Sequence, residues 1–246
     1  MNIIESNIKN LTSLWKVVSE PFSSYFSNTD FNYSLIKNSE WPNRLWFDQD
    51  INQNTITLIK EKLSSVSTNL IIPYWDIYNS NSFELLEKND FNLKFEQSGM
   101  ALKLNRLTNV LDILKLRKAS TKKDTELWSK LFSKAFGYFI NPVLLIKTYK
   151  NINYYIAYHQ DQAVGTGILH ITDNISGIHS VGVIPEHRRK GYAEQIMKLL
   201  INQSIKINSD YVTLQSSDMG KNLYLKLGFK EQFKIKSYAL QSSRRL

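Results

Sequence analysis

Between Asp124 and Phe136 the segment DTELWSKLFSKAF sets Trp128, Leu131, Phe132, Ala135 and Phe136 at i, i+3, i+4, i+7 and i+8. That period lines one face of a helix. NPVLLIKTYK predicts a second helix, with Pro142 suited to its first turn. The pattern then changes: NYYIAYHQ, AVGTGILHI and SGIHSVGV are short runs of β-branched and aromatic residues divided by turn formers, which predicts an antiparallel meander. After it, HRRKGYAEQIMKLL opens a further amphipathic helix whose apolar face carries Ala193, Ile196, Met197, Leu200 and Ile201. A strand at YVTLQ, a short helix through NLYLKL and a strand ending in SYALQ complete this half, and the strand-like ILKLRKAS marks its beginning.

The first half repeats the end of the second. ELLEKNDFNLKFEQSGMAL aligns with NLYLKLGFKEQFKIKSYAL at one offset of 138, which pairs Phe91 with Phe229 and Leu102 with Leu240. Leu85, Lys88 and Ala101 then match Leu223, Lys226 and Ala239, and the helical QNTITLIKEKLSS falls on GYAEQIMKLLINQ. A helix, a helix-to-strand corner and a closing strand agreeing together favour an internal repeat. The chain divides accordingly into residues 1–108 and 109–246. The copies differ where an anion would bind: the counterpart of RRKGYA is DINQNT, Asp50 to Thr55, without a glycine or a cation. Gly228 is matched by Asp90, and Tyr224 by Leu86.

Composition narrows the chemistry. With 246 residues and 42% hydrophobic content the chain can bury a proper core. No segment reaches the ~18 apolar residues of a membrane span, and MNIIESNIKNLTSLW lacks the apolar run of a signal peptide, so a soluble, cytoplasmic protein with no membrane partner is expected. The absence of cysteine excludes disulfides, thiolate zinc sites and a cysteine nucleophile. Charge is asymmetric: residues 1–108 hold 10 Lys and Arg against 12 Asp and Glu, a balance of −2, while residues 109–246 hold 21 against 10, a balance of +11. Such a half suits nucleic acid, an anionic membrane surface, a phosphorylated small molecule, or only solvent.

The cations concentrate in one place. Arg188, Arg189 and Lys190 stand before Gly191 at a helix N-terminus, where the dipole already adds positive potential. The free N–H groups of the first turn converge there and glycine permits close approach, an arrangement that fits a pyrophosphate.

In that context VGVIPEHRRKGYAEQIMKLL resembles the acetyl-CoA signature of the GNAT superfamily of N-acetyltransferases, and LYLKLGF, Leu223 to Phe229, resembles its second motif at the expected distance. WSKLFSKAF is similar to the family's opening helix. The resemblance implies an α+β fold of two GNAT-like domains, each a mixed, mostly antiparallel sheet flanked by helices, with the first a degenerate copy. It implies that Arg188, Arg189, Lys190, Gly191, Tyr192 and Ala193 hold the pyrophosphate of acetyl-CoA, chiefly through backbone N–H groups. It further implies that Val181, Gly182 and Val183 run beside the pantetheine arm, and that Tyr224 acts as the acid that protonates the leaving thiolate. Ser217 stands where many members carry Asn.

The acceptor implied is an amine of unstated identity, reached in a ternary complex. The alternative is a non-catalytic acyl-CoA-binding regulator. Cations gathered around one turn argue against a nucleic-acid partner, and a homodimer is left open. His159, His170, His179 and His187 all fall in or beside the meander, without the i, i+4 spacing of a helical metal site, and no metal is expected. His179 is a candidate base, although a structural role is commoner for a strand histidine. The aromatic residues of SEWPNRLWF and IIPYWDIY read as core and interdomain packing, Glu186 as a solvated turn residue, and the terminal SSRRL as a frayed tail.

Overall fold

A computed structural model describes residues 1–66 and 70–241, so the terminal SSRRL lies outside the described residues. The first half runs α1 (Ile3–Ser19), β1 (Tyr25–Ser27), β2 (Asn32–Ser34), β3 (Arg44–Trp46), α2 (Gln53–Ser64), β4 (Ile72–Asp76), α3 (Phe83–Glu87) and β5 (Phe91–Lys103). The second runs β6 (Lys115–Lys118), α4 (Lys122–Phe136), α5 (Pro142–Thr148), β7 (Asn153–His159), β8 (Gln162–Thr172), β9 (Ile175–Val183), α6 (Tyr192–Lys206), β10 (Tyr211–Ser216), α7 (Asp218–Lys226) and β11 (Lys230–Leu240). The helices begin where the side chains allow. Asn2 accepts the first N–H groups of α1, Asn52 with Thr55 and Thr121 with Asp124 form reciprocal caps at α2 and α4, and Gly137 closes α4 in the left-handed region. Asn141 and Pro142 start α5.

The predicted meander is present: β6 to β9 pair in antiparallel succession. They belong to an eight-stranded sheet in the order β4-β11-β5-β10-β9-β8-β7-β6, in which β9 and β10 are the only parallel pair among the described strands. A parallel pair needs a crossover, and α6 provides it. A separate three-stranded sheet holds β1, β2 and β3. The α+β class, with mostly antiparallel sheets flanked by helices, is therefore what the sequence leads one to expect.

The two halves do not close their sheets separately. The closing strand of the first half, β5, lies between β10 and β11, while β11 continues outward to pair with β4. The chain boundary at 108 falls in the loop after β5, yet the strands on either side of it share one sheet. The elements α2, β4, α3 and β5 stand about 138 residues ahead of α6, β10, α7 and β11, each matched by an element of its own kind.

Three apolar clusters fill the layers. One joins Trp15, Trp46 and Trp75 of the first half to Trp128, Phe132 and Leu145 of the second, so the aromatic residues of the first half bury against the partner half. Trp15 stacks on Trp75 at 6.3 Å and meets Trp46 edge-on at 5.3 Å. The second cluster lies under α6, with Ile196, Met197 and Leu200 over Met100, Val212 and Leu214. The third holds Ile56 and Ile59 of α2 with Tyr74, Phe91 and Tyr238.

Gly99 of β5 lies under the ring of Phe233 on β11, where any Cβ would overlap that ring. This contact ties the closing strands of the two halves together. Gly99→Val should expel the ring and cost about 2 kcal/mol or more of stability, read as a lower midpoint in urea unfolding; an unchanged midpoint would show that the exchanged strands do not depend on this packing.

Candidate active site

The parallel ladder between β9 and β10 is short. It pairs Tyr211 with Ile175, Val212 with Ser176 and Thr213 with Gly177, and then stops, although β9 continues to Val183 and β10 to Ser216. Beyond Gly177 the strands diverge. Ser180 adopts φ 53°, and the register against β8 shifts between the pairs Ile168–His179 and Thr166–Gly182, the mark of a bulge that bends β9. Gly182 and Val183 thus pair with Thr166 and Gly165 of β8 on one side, Val181 falls in the bulge, and all three lie beyond the last pair with β10 on the other.

At the end of β9 the chain turns through Pro185–His187 into α6. Arg189 at φ 61° and Gly191 at φ 75° both occupy the left-handed region, which makes the turn tight. Gly191 is the N-cap of α6 and supplies no side-chain cap, so the first-turn N–H groups have no side-chain acceptor at that position. Nothing lies within 4 Å of where a Cβ at Gly191 would stand, and the space in front of the turn is open. An anion fits there, on backbone donors at the positive end of a helix dipole.

The sequence-predicted residues take distinct parts in this turn. Arg189 and Lys190 are exposed. Arg188 instead turns back on the fold, where its Nε donates to Val183 O at 3.1 Å and a terminal nitrogen donates to Ala135 O at 2.9 Å, which pins the turn to β9 and α4. Its side chain braces the turn while remaining exposed, and its own N–H donates to Pro185 O at 3.3 Å. Tyr192 is buried between His159 and His187, with ring centroids 5.1 and 6.3 Å away. Ala193 packs on the cluster under α6. Gly182 lies beneath Phe136 and Ala135 of α4, which leaves no room for a side chain. Glu186 accepts from Lys134 of α4 at 3.3 Å, an exposed pair worth little by itself.

Tyr224 projects from α7 onto the cluster that also holds Val183 and Tyr192, and its ring meets Phe229 edge-on at 5.9 Å. Burial pushes its phenol up to about 12, so it keeps its proton through neutral pH. Ser217 begins α7 without a side-chain cap bond.

The histidines separate into two pairs. His159 and His187 flank Tyr192. His170 and His179 are buried on β8 and β9, and burial lowers them to about 4 and about 3 respectively. Both ring nitrogens of His179 are engaged, Nδ1 with Gln215 Oε1 at 3.1 Å and Nε2 with Asn10 Oδ1 at 3.0 Å. Asn10 lies on α1, which the sequence reading left without a role at the site. A polar residue on the buried face of a helix, in step with Leu11, Leu14 and Trp15, was the available signal. Among the described residues no three potential ligands gather into a metal site.

In the first half the place of the turn is taken by a polar cavity of about 210 Å³ that presents Asp30, Asp48 and Asp50. Asp50 accepts from Ser80 Oγ at 2.7 Å and from Ser82 Oγ. This surface opposes an anion.

Residues 150–231 match the family model described as the acetyltransferase (GNAT) domain, about a third of the chain. No curated protein sequence matches. Similar solved structures include the GCN5-related N-acetyltransferase from Kribbella flavida, at 11% identity and a TM-score of 0.70, covering 94% of this chain and 96% of that one. Another, from Sphaerobacter thermophilus, is 14% identical with a TM-score of 0.63 and coverage of 85% and 76%. A tandem GNAT protein from the clavulanic acid biosynthesis pathway is 9% identical with a TM-score of 0.60 and coverage of 88% and 79%. The chain has the GNAT fold. Among the described residues of this GNAT fold, no helix is long and apolar enough to cross a membrane.

The two buried histidines give the protein a defined acid sensitivity. Unfolded, each titrates near 6.5; folded, near 4 and 3, so below pH 6.5 the unfolded chain takes up protons that the native state refuses. Their effect is absent above about pH 7 and grows as pH falls, at about 1.4 kcal/mol per unit of separation. Urea unfolding from pH 8 down to pH 4.5 should show a falling midpoint, and His170→Phe should make that fall shallower; an equally steep fall in the variant would contradict the assignment.

Proposed function

We propose that the protein is an acetyl-CoA-dependent N-acetyltransferase that acts on an amine in a ternary complex. The observation that carries this reading is the uncapped, glycine-led N-terminus of α6 beside the unpaired edge of β9. Acetyl-CoA supplies an acyl group activated as a thioester. The backbone N–H groups from Arg189 to Ala193 would hold its pyrophosphate, with Arg189 and Lys190 adding positive charge and Arg188 fixing the turn. The edge of Val181 to Val183 would offer backbone groups to an extended pantetheine arm as an added strand would, with an N–H donor for the negative charge that develops on the acyl oxygen. Tyr224 stays protonated and donates its proton to the departing sulfur. With no cysteine in the chain, an acyl-cysteine step is excluded, which supports direct attack by the amine, whose proton leaves through water and in turn restores the phenol of Tyr224.

The first half is read as a degenerate copy. Its carboxylates at the counterpart of the turn support a single cofactor site, on the second half. The protein is expected to work in the cytoplasm.

Calorimetric titration of acetyl-CoA tests the site. Wild type should bind one equivalent, and Gly191→Asp, which places a side chain and a negative charge in the turn, should weaken binding by at least about tenfold. Absence of binding to the wild type would remove the basis for acetyl transfer. Tyr224→Phe should bind acetyl-CoA unchanged and turn over an amine panel about 100-fold more slowly. Tight binding with no turnover of any amine by the wild type would favour the acyl-CoA-binding regulator instead.

A further inference from the structure

Where the backbone ladder between β9 and β10 ends, side chains continue it. The last backbone pair is Gly177 with Thr213, and two residues further on His179 of β9 meets Gln215 of β10 across the opening, Nδ1 to Oε1 at 3.1 Å. Both ends of this bridge are gripped by α1. Gln215 Nε2 donates to Asn7 Oδ1 at 2.7 Å, and Asn7 Nδ2 donates to Met100 O at 3.1 Å. On the other side His179 Nε2 meets Asn10 Oδ1, and Asn10 Nδ2 donates to His170 O at 3.1 Å and to Thr172 Oγ1 at 2.9 Å. Asn7 and Asn10 are fully buried. Gly177 leaves the room for Asn10, whose carboxamide occupies the space of any Cβ there.

The proton count in this chain is fixed by its ends. Met100 O and His170 O are both backbone acceptors, so each carboxamide between them must turn its nitrogen outward and its oxygen inward. His179 therefore faces an oxygen at each ring nitrogen, while a neutral imidazole has one N–H to give. Burial nevertheless keeps it neutral, because among the described residues no carboxylate stands beside it and the nearest titratable group is His170, itself held neutral with Nε2 on Ser13 Oγ at 3.1 Å. Protonation of His179 would bury a charge with no carboxylate beside it, and both of its nitrogens are occupied, by Gln215 and Asn10, so neither is free to touch a substrate.

We infer that α1 of the first half sets the width of the β9–β10 opening through an Asn7–Gln215–His179–Asn10 strut, in which His179 is a positioning residue and does not act as the base. The first half then contributes to the reaction mechanically: it wedges open the cleft that the second half uses. The cleft's role in holding acetyl-CoA rests on the function proposed above, whereas the strut itself is a property of the free protein and is testable without any ligand.

Two measurements on the full chain test it. In the free protein, Asn10→Ala should raise amide hydrogen exchange at Ile178 to Val183 by about tenfold while near-ultraviolet circular dichroism shows a folded chain. Exchange at the wild-type rate in that variant overturns the inference whatever the protein binds. In acetyl-CoA titrations, Asn10→Ala and His179→Ala should each weaken binding by about tenfold, the double variant should be little weaker than either, and His179→Gln, which keeps one donor and one acceptor, should recover part of the loss. Among wild type and His179→Gln the kcat profile from pH 6 to pH 9 should keep its shape. Loss of its acidic limb in His179→Gln with acetyl-CoA affinity intact would make His179 the base and overturn the assignment. A wild type that binds no acetyl-CoA, together with faster exchange in Asn10→Ala, would uphold the strut and reject the proposed function.

Discussion

The protein is organised around one broken ladder. Three parallel pairs hold β9 to β10, and from Gly177 and Thr213 onward the backbone groups of the two strands no longer meet. Buried backbone polar groups need partners, so a parallel pair can open only where something else satisfies or covers the freed edges. Below the opening the strands carry ordinary core, with Val212 under α6. Above it stand the bulge at Ser180, the unpaired edge of Val181 to Val183 and the uncapped start of α6. The helix crossover that parallel pairing requires is also what brings a helix N-terminus to the mouth of the cleft.

That opening has to be supported, and the support comes from the other half of the chain. β5 backs β10 on its far edge, β11 binds β5 to β4, and α1 lies across the face of the sheet with its carboxamides in the gap. The placement of β5 between β10 and β11 puts both halves in one sheet, and the apolar cluster that holds Trp15, Trp46, Trp75 and Trp128 joins them further. The polar cavity of the first half, lined by Asp30, Asp48 and Asp50, is compatible with such a supporting part.

Much of the second half was legible because its signals are local. Runs of β-branched and aromatic residues between turn formers marked the meander, the 3.6-residue period marked α4 and α6, and the glycine at 191 marked the start of α6. The repeat offset correctly equated α2, β4, α3 and β5 with their later counterparts in kind. It could not show that β5 enters the other half's sheet, because pairing partners of strands with like patterning are set by tertiary packing. The part of Arg188 was hidden for a related reason: its position in the motif places it at the turn, while one of the two carbonyls that capture its guanidinium, Ala135 O, comes from α4, 53 residues earlier. Asn7 and Asn10 were visible as polar residues on an apolar helix face, and only the structure shows what they reach.

The most direct measurement is a crystal structure of the full chain with acetyl-CoA. The expected result is one molecule per chain, its pyrophosphate on the N–H groups from Arg189 to Ala193, its pantetheine alongside Val181 to Val183 between the diverging strands, and its sulfur within reach of Tyr224. Acetyl-CoA seated against Asp50 to Thr55 of the first half, or on a surface away from the β9–β10 opening, would contradict the reading that this cleft is the site of acyl transfer.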